Sequence, residues 1–138
     1  MKIKNPNAGA LTNFEVLDFL KARGAGKDSS RVIAPVAPSE YKVYDYLMET
    51  PACRQTREQI NEFMEKCKAY KLAKAEILNI INIVPRELVE LDPIIEKSEV
   101  RFGDLLEEVK DLVCDIFPPP PGEPAAEEGG EEDHEERN

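Results

Sequence analysis

At 138 residues, the chain is sized for one domain plus appendages. Its formal net charge of −10 is unevenly placed: residues 118–138 carry eight acids against one Arg, whereas residues 1–117 carry twenty acids against seventeen bases. An acidic chain is poorly suited to non-specific duplex binding, where cations must displace counterions from phosphates, and no apolar run approaches the length of a bilayer span.

Residues 1–10 are polar, with Pro6 and Gly9, and read as a tail or an edge strand. No signal-peptide hydrophobic stretch follows Met1, so the chain is expected to be soluble and not secreted. Helix one opens at Thr12, where Glu15 three residues on completes a capping box. Leu11 and Val16 are spaced as its hydrophobic staple. Phe14, Val16, Leu17 and Leu20 form an apolar stripe, and Gly24 supplies a C′ residue free to take positive φ.

Residues 24–38 read as a linker that could reach on the order of 50 Å at about 3.3 Å per residue. Gly24-Ala-Gly-Lys-Asp lacks the spacing of a phosphate loop, and no strand precedes it. Helix two is predicted over about 39–50, with Tyr41, Tyr44, Leu47 and Met48 on one face and Pro51 after it. Helix three opens at Thr56 with Gln59 as a second capping box, and Ile60, Phe63, Met64 and Cys67 recur at helical period. Helix four spans 73–82, with a polar stop at Asn82. Pro85 suits the first turn of helix five, which carries Leu88 and Leu91 and is interrupted at Pro93. The last helix begins near Gly103 or Asp104 and shows Leu105, Leu106, Val109, Leu112, Val113 and Ile116 on one stripe. Pro118 to Pro121 stop it.

The chain therefore reads as all-α: a compact array of about five helices over 39–117, preceded by a tethered amphipathic helix within 1–38. Residues 118–138 form a Pro/Glu-rich acidic tail that cannot bury a core and is expected to be disordered. A helix of about twelve residues does not hold itself in water without tertiary contacts. The leading one can dock on its own array or clamp a second protein.

Signals for chemistry are weak. His134 is the only histidine and lies in the tail, so no Ser/His or Cys/His pair is expected in a structured pocket. Cys53, Cys67 and Cys114 show no metal-ligand spacing, and Cys67 and Cys114 fall on apolar stripes as core residues. Asp104, Glu107, Glu108 and Asp111 could gather around a cation, although acids near a helix N-terminus also simply complement its dipole. No enzyme, cofactor, metal or small-molecule substrate is expected. A basic cluster of Arg54, Arg57, Lys66, Lys68, Lys71 and Lys74 surrounds Tyr70 and is a candidate contact for RNA or a polymerase surface. Its alternative is ordinary solubilising charge.

Three stretches in order carry a resemblance: Leu11-Thr-Asn-Phe-Glu-Val16 with Leu20; Leu72-Ala-Lys-Ala-Glu-Ile-Leu-Asn-Ile-Ile-Asn-Ile-Val-Pro85; and Glu96 with Ser98-Glu99, Arg101 and Phe102. They resemble the small stalk subunit of RNA polymerase III, the family that includes the calcitonin-gene-related-peptide receptor component protein. Thr50-Pro51 and Cys53-Arg54 resemble its Thr-Pro-Cys-Arg, with Ala52 as an extra residue. The resemblance implies an HRDC-like helical fold, a nuclear location and no catalysis of its own. It also implies pairing with the larger OB-fold stalk subunit, beside the polymerase core and initiation factors, for transcription of tRNA, 5S ribosomal RNA and other small RNA genes. On that reading Phe14, Val16, Leu17 and Leu20, with Leu78, Ile81 and Leu88 around the motif corner, contact the partner. Alternatives are the homologous stalk subunit of another polymerase, a free HRDC-like nucleic-acid-binding module, and a receptor-coupling adaptor, for which the sequence offers no membrane anchor.

Overall fold

A computed structural model describes residues 2–26 and 35–122. Part of the expected linker, 27–34, and the part of the acidic tail beyond Gly122 lie outside the described residues, as does the expected disorder of that tail. The described residues are all-α and contain no strand. Residues 2–10, where an edge strand was one expectation, are exposed and irregular.

The first helix, α1 (Asn13–Ala22), begins at the predicted capping box: the Thr12 hydroxyl accepts from the Glu15 N–H, and the Glu15 side chain reaches back to the Thr12 backbone. Gly24 takes φ +96° just past its end. The expected staple does not form, because Leu11 stays exposed. Helix α2 (Pro38–Met48) starts one residue before its predicted position, with Pro38 in its first turn and the Glu40 carboxylate accepting from the Ala37 N–H at 2.7 Å. A 3-10 turn (Pro51–Arg54) leads to α3 (Arg57–Cys67), which opens on the predicted Thr56–Gln59 box. A second 3-10 turn (Lys68–Tyr70) and left-handed Lys71 lead to α4 (Lys74–Ile83).

Three expectations change at the corner after α4. Asn82 lies inside the helix and does not stop it. The stop is Val84, at φ +52°, with its N–H bonded to Ile80 O at 2.8 Å. A β-branched residue in the left-handed region is strained. Burial of the Val84 side chain and the buried ring of Pro85 behind it hold it there. Pro85 therefore terminates one helix and does not open the next. Helix α5 (Leu88–Leu91) is a single turn, cut short ahead of Pro93. A further turn, α6 (Ser98–Arg101), precedes α7 (Leu105–Ile116), which begins where Gly103 and Asp104 predict. The five-helix array thus becomes four helices of ten to twelve residues (α2, α3, α4, α7) and two single turns.

Two apolar clusters hold these elements. The larger joins α3, α4, α5 and α7 through Ile60, Phe63, Ile80, Ile81, Leu91, Val109 and Val113, closed by Phe63 tilted against Phe117 with ring centroids 5.6 Å apart. The smaller joins α1, α2 and the 3-10 turn through Leu17, Leu20, Tyr44, Leu47 and Ala52. Phe14 packs against both. A boundary at residue 38 therefore runs through the second cluster, whose two helices come from either side of it. Ala52, the extra residue of the Thr-Pro-Ala-Cys-Arg loop, is fully buried in that cluster. Met64 and Leu105 sit on predicted apolar stripes but face solvent.

Candidate functional site

The polar residues of the three motif stretches tie the two clusters into one body. The first four N–H groups and last four carbonyls of a helix have no partner within it. The Asn13 N–H, at the start of α1, donates to Asn82 Oδ1 at 2.8 Å, so α4 caps α1 across sixty-nine positions of sequence. The Ile81 carbonyl, near the end of α4, accepts from Gln55 Nε2 at 2.6 Å in a buried bond. At the other end of α4, Glu76 is buried and its Oε1 meets Arg101 Nη1 at 2.7 Å. Arg101 also donates to Glu96 O at 2.9 Å and Lys71 O at 3.5 Å, and its guanidinium lies 5.1 Å from the centroid of the Phe102 ring. The Ser98 hydroxyl donates to Asp92 Oδ1. Polar residues of the motif stretches, Asn13, Asn82, Glu76 and Arg101 among them, thus fasten the fold.

The residues expected to meet a partner divide by exposure. Leu17 and Leu20 are 2% and 4% exposed, covered by the chain's own α2 and 3-10 turn. Ile81 is equally buried, in the larger cluster. Phe14, Val16 and Leu78 are half-buried. Phe14 carries the Arg57 guanidinium 6.0 Å from its ring centroid. Leu88 alone of the seven is exposed. Beside it the structure exposes residues that periodicity missed: Ile83 at the end of α4 and Val89, at 79%, in α5. All three flank the Val84–Glu87 corner. A one-turn helix starting with two adjacent apolar residues was the available signal, since both cannot face the same core. A second exposed apolar group, Phe19 on α1 with Val43 and Tyr46 on α2, lies on the helix pair around the smaller cluster.

The basic cluster is not one patch. Arg54 and Arg57 lie at the start of α3 and the four lysines at or beyond its end, about 14 Å apart at 1.5 Å per residue. Arg57 pairs with Asp18 of α1 at 3.3 Å, Lys66 with Glu62 at 2.7 Å and Lys68 with Glu65 at 2.8 Å. Lys71 and Lys74 are exposed and have no such pair among the described residues. Tyr70, the aromatic in the stretch, packs against the larger cluster and its hydroxyl donates to Glu108 at 3.4 Å. Burial, then the Glu108 charge, raise its pKa above the ordinary phenol value. It is held by the fold through that packing and the Glu108 bond.

Among the described residues, no group of His, Cys, Asp and Glu is arranged to hold a metal ion. Of the four acids suggested for a cation, Glu107 and Asp111 face Lys110 and Glu108 accepts from Tyr70. Cys67 is sealed in the core, and burial pushes its thiol up to about 12, so it does not form a thiolate near neutrality. His134 lies outside the described residues. No helix among them is long and apolar enough to cross a membrane.

Residues 10–116 match a family model described as RNA polymerase Rpb4. DNA-directed RNA polymerase III subunit RPC9 of Saccharomyces cerevisiae is 34% identical over 61 residues. That match covers 44% of this chain and 38% of the yeast protein, so the chain spans well under half the length of that curated relative.

Proposed function

This chain belongs to the RNA polymerase Rpb4 family, and we propose that it acts there as a non-catalytic accessory stalk subunit of RNA polymerase III. The observation that carries the choice of polymerase is the similarity to the yeast RNA polymerase III subunit. On this reading the chain works in the nucleus, pairs with the larger OB-fold stalk subunit, and supports initiation at tRNA, 5S ribosomal RNA and other small RNA genes. A subunit of this kind needs a rigid shape with apolar side chains left over. The fastened helices supply the first, and Ile83, Leu88 and Val89 at the motif corner supply the second. The buried Leu17, Leu20 and Ile81 hold α1 and α4 in place, while Phe14, Val16 and Leu78 remain partly accessible. An obligate pair of this type buries on the order of 2,000 Å² or more, much of it apolar.

The double substitution Leu88→Asp with Val89→Asp tests the surface. Positions this exposed tolerate polar residues, so the stability of the isolated chain should change by about 1 kcal/mol or less for the two together. Co-purification with the larger stalk subunit should fall at least about tenfold, as expected from charges placed in an apolar contact. Undiminished co-purification would remove this corner from the interface. A stalk subunit of a different polymerase is the second reading, favoured by the breadth of the family match, which does not by itself choose among polymerases.

A further inference from the structure

We propose that the partner surface covering the motif corner is acidic, and that its carboxylates pair with Arg54 and Arg86 at one edge of the contact. This rests on the stalk-subunit reading above and adds what the partner must carry. Arg54, at the end of the first 3-10 turn, and Arg86, inside the Val84–Glu87 corner, line one crevice with Gln55, Val84 and Phe117. The crevice itself holds about 20 Å³, room for a single water and for no chain segment. Contact therefore forms across its rim, where Arg54 is exposed and Arg86 half-buried.

Neither guanidinium has an ion pair or hydrogen bond among the described residues. Arg23, Arg57 and Arg101, by contrast, each face an acid of their own chain. Glu90, one turn beyond Arg86, is taken up by the backbone N–H groups of Arg86 and Glu87 at 2.7 and 3.2 Å. The backbone beside both arginines is fixed. Gln55, next to Arg54, is buried and donates to Ile81 O at 2.6 Å. Arg86 follows left-handed Val84 and buried Pro85, and its carbonyl accepts from Cys114 Sγ at 3.9 Å. Two cations are thus anchored at one crevice in advance, which lowers the ordering cost of a carboxylate contact.

The neighbours of Arg86 define what covers it. It stands in sequence between Ile83 and Leu88-Val89, the exposed apolar residues of the same corner. A partner seated on those side chains also strips water from Arg86. A guanidinium desolvated without a counter-charge is strongly unfavourable, and a second cation at the same crevice adds repulsion. A carboxylate held between the two relieves both, and the planar guanidinium fork suits it. RNA is the poorer occupant. Glu87, Glu90 and Asp92 follow Arg86 directly, so a phosphate backbone laid along the corner meets their charge. A protein surface can place one acid at the crevice and apolar groups beside it.

The test measures the dissociation constant between the full chain and the larger stalk subunit in low and high salt, about 50 and about 500 mM. Three proteins are compared: wild type, Arg54→Gln with Arg86→Gln, and Leu88→Asp with Val89→Asp. The glutamine pair should weaken binding at least about tenfold in low salt and about threefold or less in high salt, because charges are what it removes. Its thermal midpoint in isolation should match that of wild type, since neither arginine side chain bonds within the described chain. The aspartate pair should weaken binding at both salts. A glutamine pair that binds like wild type overturns the acidic contact; if the aspartate pair still fails to bind, the stalk reading stands without it. A loss equal at both salts, or a lowered midpoint, overturns it by giving the arginines a structural role. Retention of a short single-stranded RNA on filters that is lost in the glutamine pair, with subunit binding intact, overturns it in favour of nucleic acid. A wild-type chain without affinity for the larger stalk subunit removes the stalk reading and this contact together.

Discussion

Replacing Leu17 and Leu20 together by Asp is expected to collapse the α1–α2 core of the isolated chain. Each leucine is almost wholly enclosed, among Tyr44, Leu47 and Ala52. Truncating one buried leucine costs about 2–5 kcal/mol, and introducing a carboxylate there adds the cost of an unpaired buried charge. A domain of this size has a total stability of only about 5–15 kcal/mol. Helix α1 has ten residues and no means of remaining helical alone. Thermal unfolding followed by circular dichroism should therefore show a reduced helical signal at room temperature and a much lower midpoint. A stable, fully helical variant that had lost only its partner would place these leucines at the intermolecular contact instead. The same two substitutions thus separate a helix that holds its own fold from one that clamps another chain.

The second large effect is asymmetric. Arg101→Met removes the cation facing Glu76 and leaves its carboxylate buried, with Oε2 already lacking a partner. Breaking a buried pair from one side costs roughly 3–5 kcal/mol. The Arg101 side chain is about a third exposed, which puts the expectation nearer 2–3 kcal/mol. Glu76→Leu should cost less, because Arg101 keeps its carbonyl acceptors at Glu96 and Lys71 and some solvent. The double variant, with an apolar pair in place of the ions, should recover most of the loss. Urea midpoints for the four proteins give the coupling directly, provided the slopes stay equal. Simple additivity of the two losses would mean that the ion pair does not fasten α4 to α6.

The signals that start helices were legible in this chain, whereas the Leu11 staple, the Asn82 stop and the Pro85 opening were not borne out. Thr12 with Glu15 and Thr56 with Gln59 are reciprocal caps whose geometry lies within four residues, and both helices start where those pairs stand. Gly24 and the α7 stripe are equally local. What sequence could not supply was the identity of the surface covering each apolar face. The periodicity of Phe14, Leu17 and Leu20 is the same whether α2 or another protein lies opposite. Polar residues with distant partners were misread for a related reason. Asn82 looks like a stop signal and Glu76 carries no signal of its partner, because the start of α1 and Arg101 are remote in sequence. The Val84 corner was unreadable because its left-handed turn is imposed by burial on a residue that disfavours it. At the candidate surface, Leu88 was legible, whereas Val89 and Ile83 emerged only once α5 proved to be one turn long.

The most direct measurement is affinity purification of the full chain from its own cells, with every RNA polymerase subunit quantified by mass spectrometry. The account predicts RNA polymerase III subunits in near-stoichiometric yield with the larger stalk subunit, and those of the other polymerases at background. Recovery of RNA polymerase II subunits in their place, or of the chain with no polymerase at all, would contradict it.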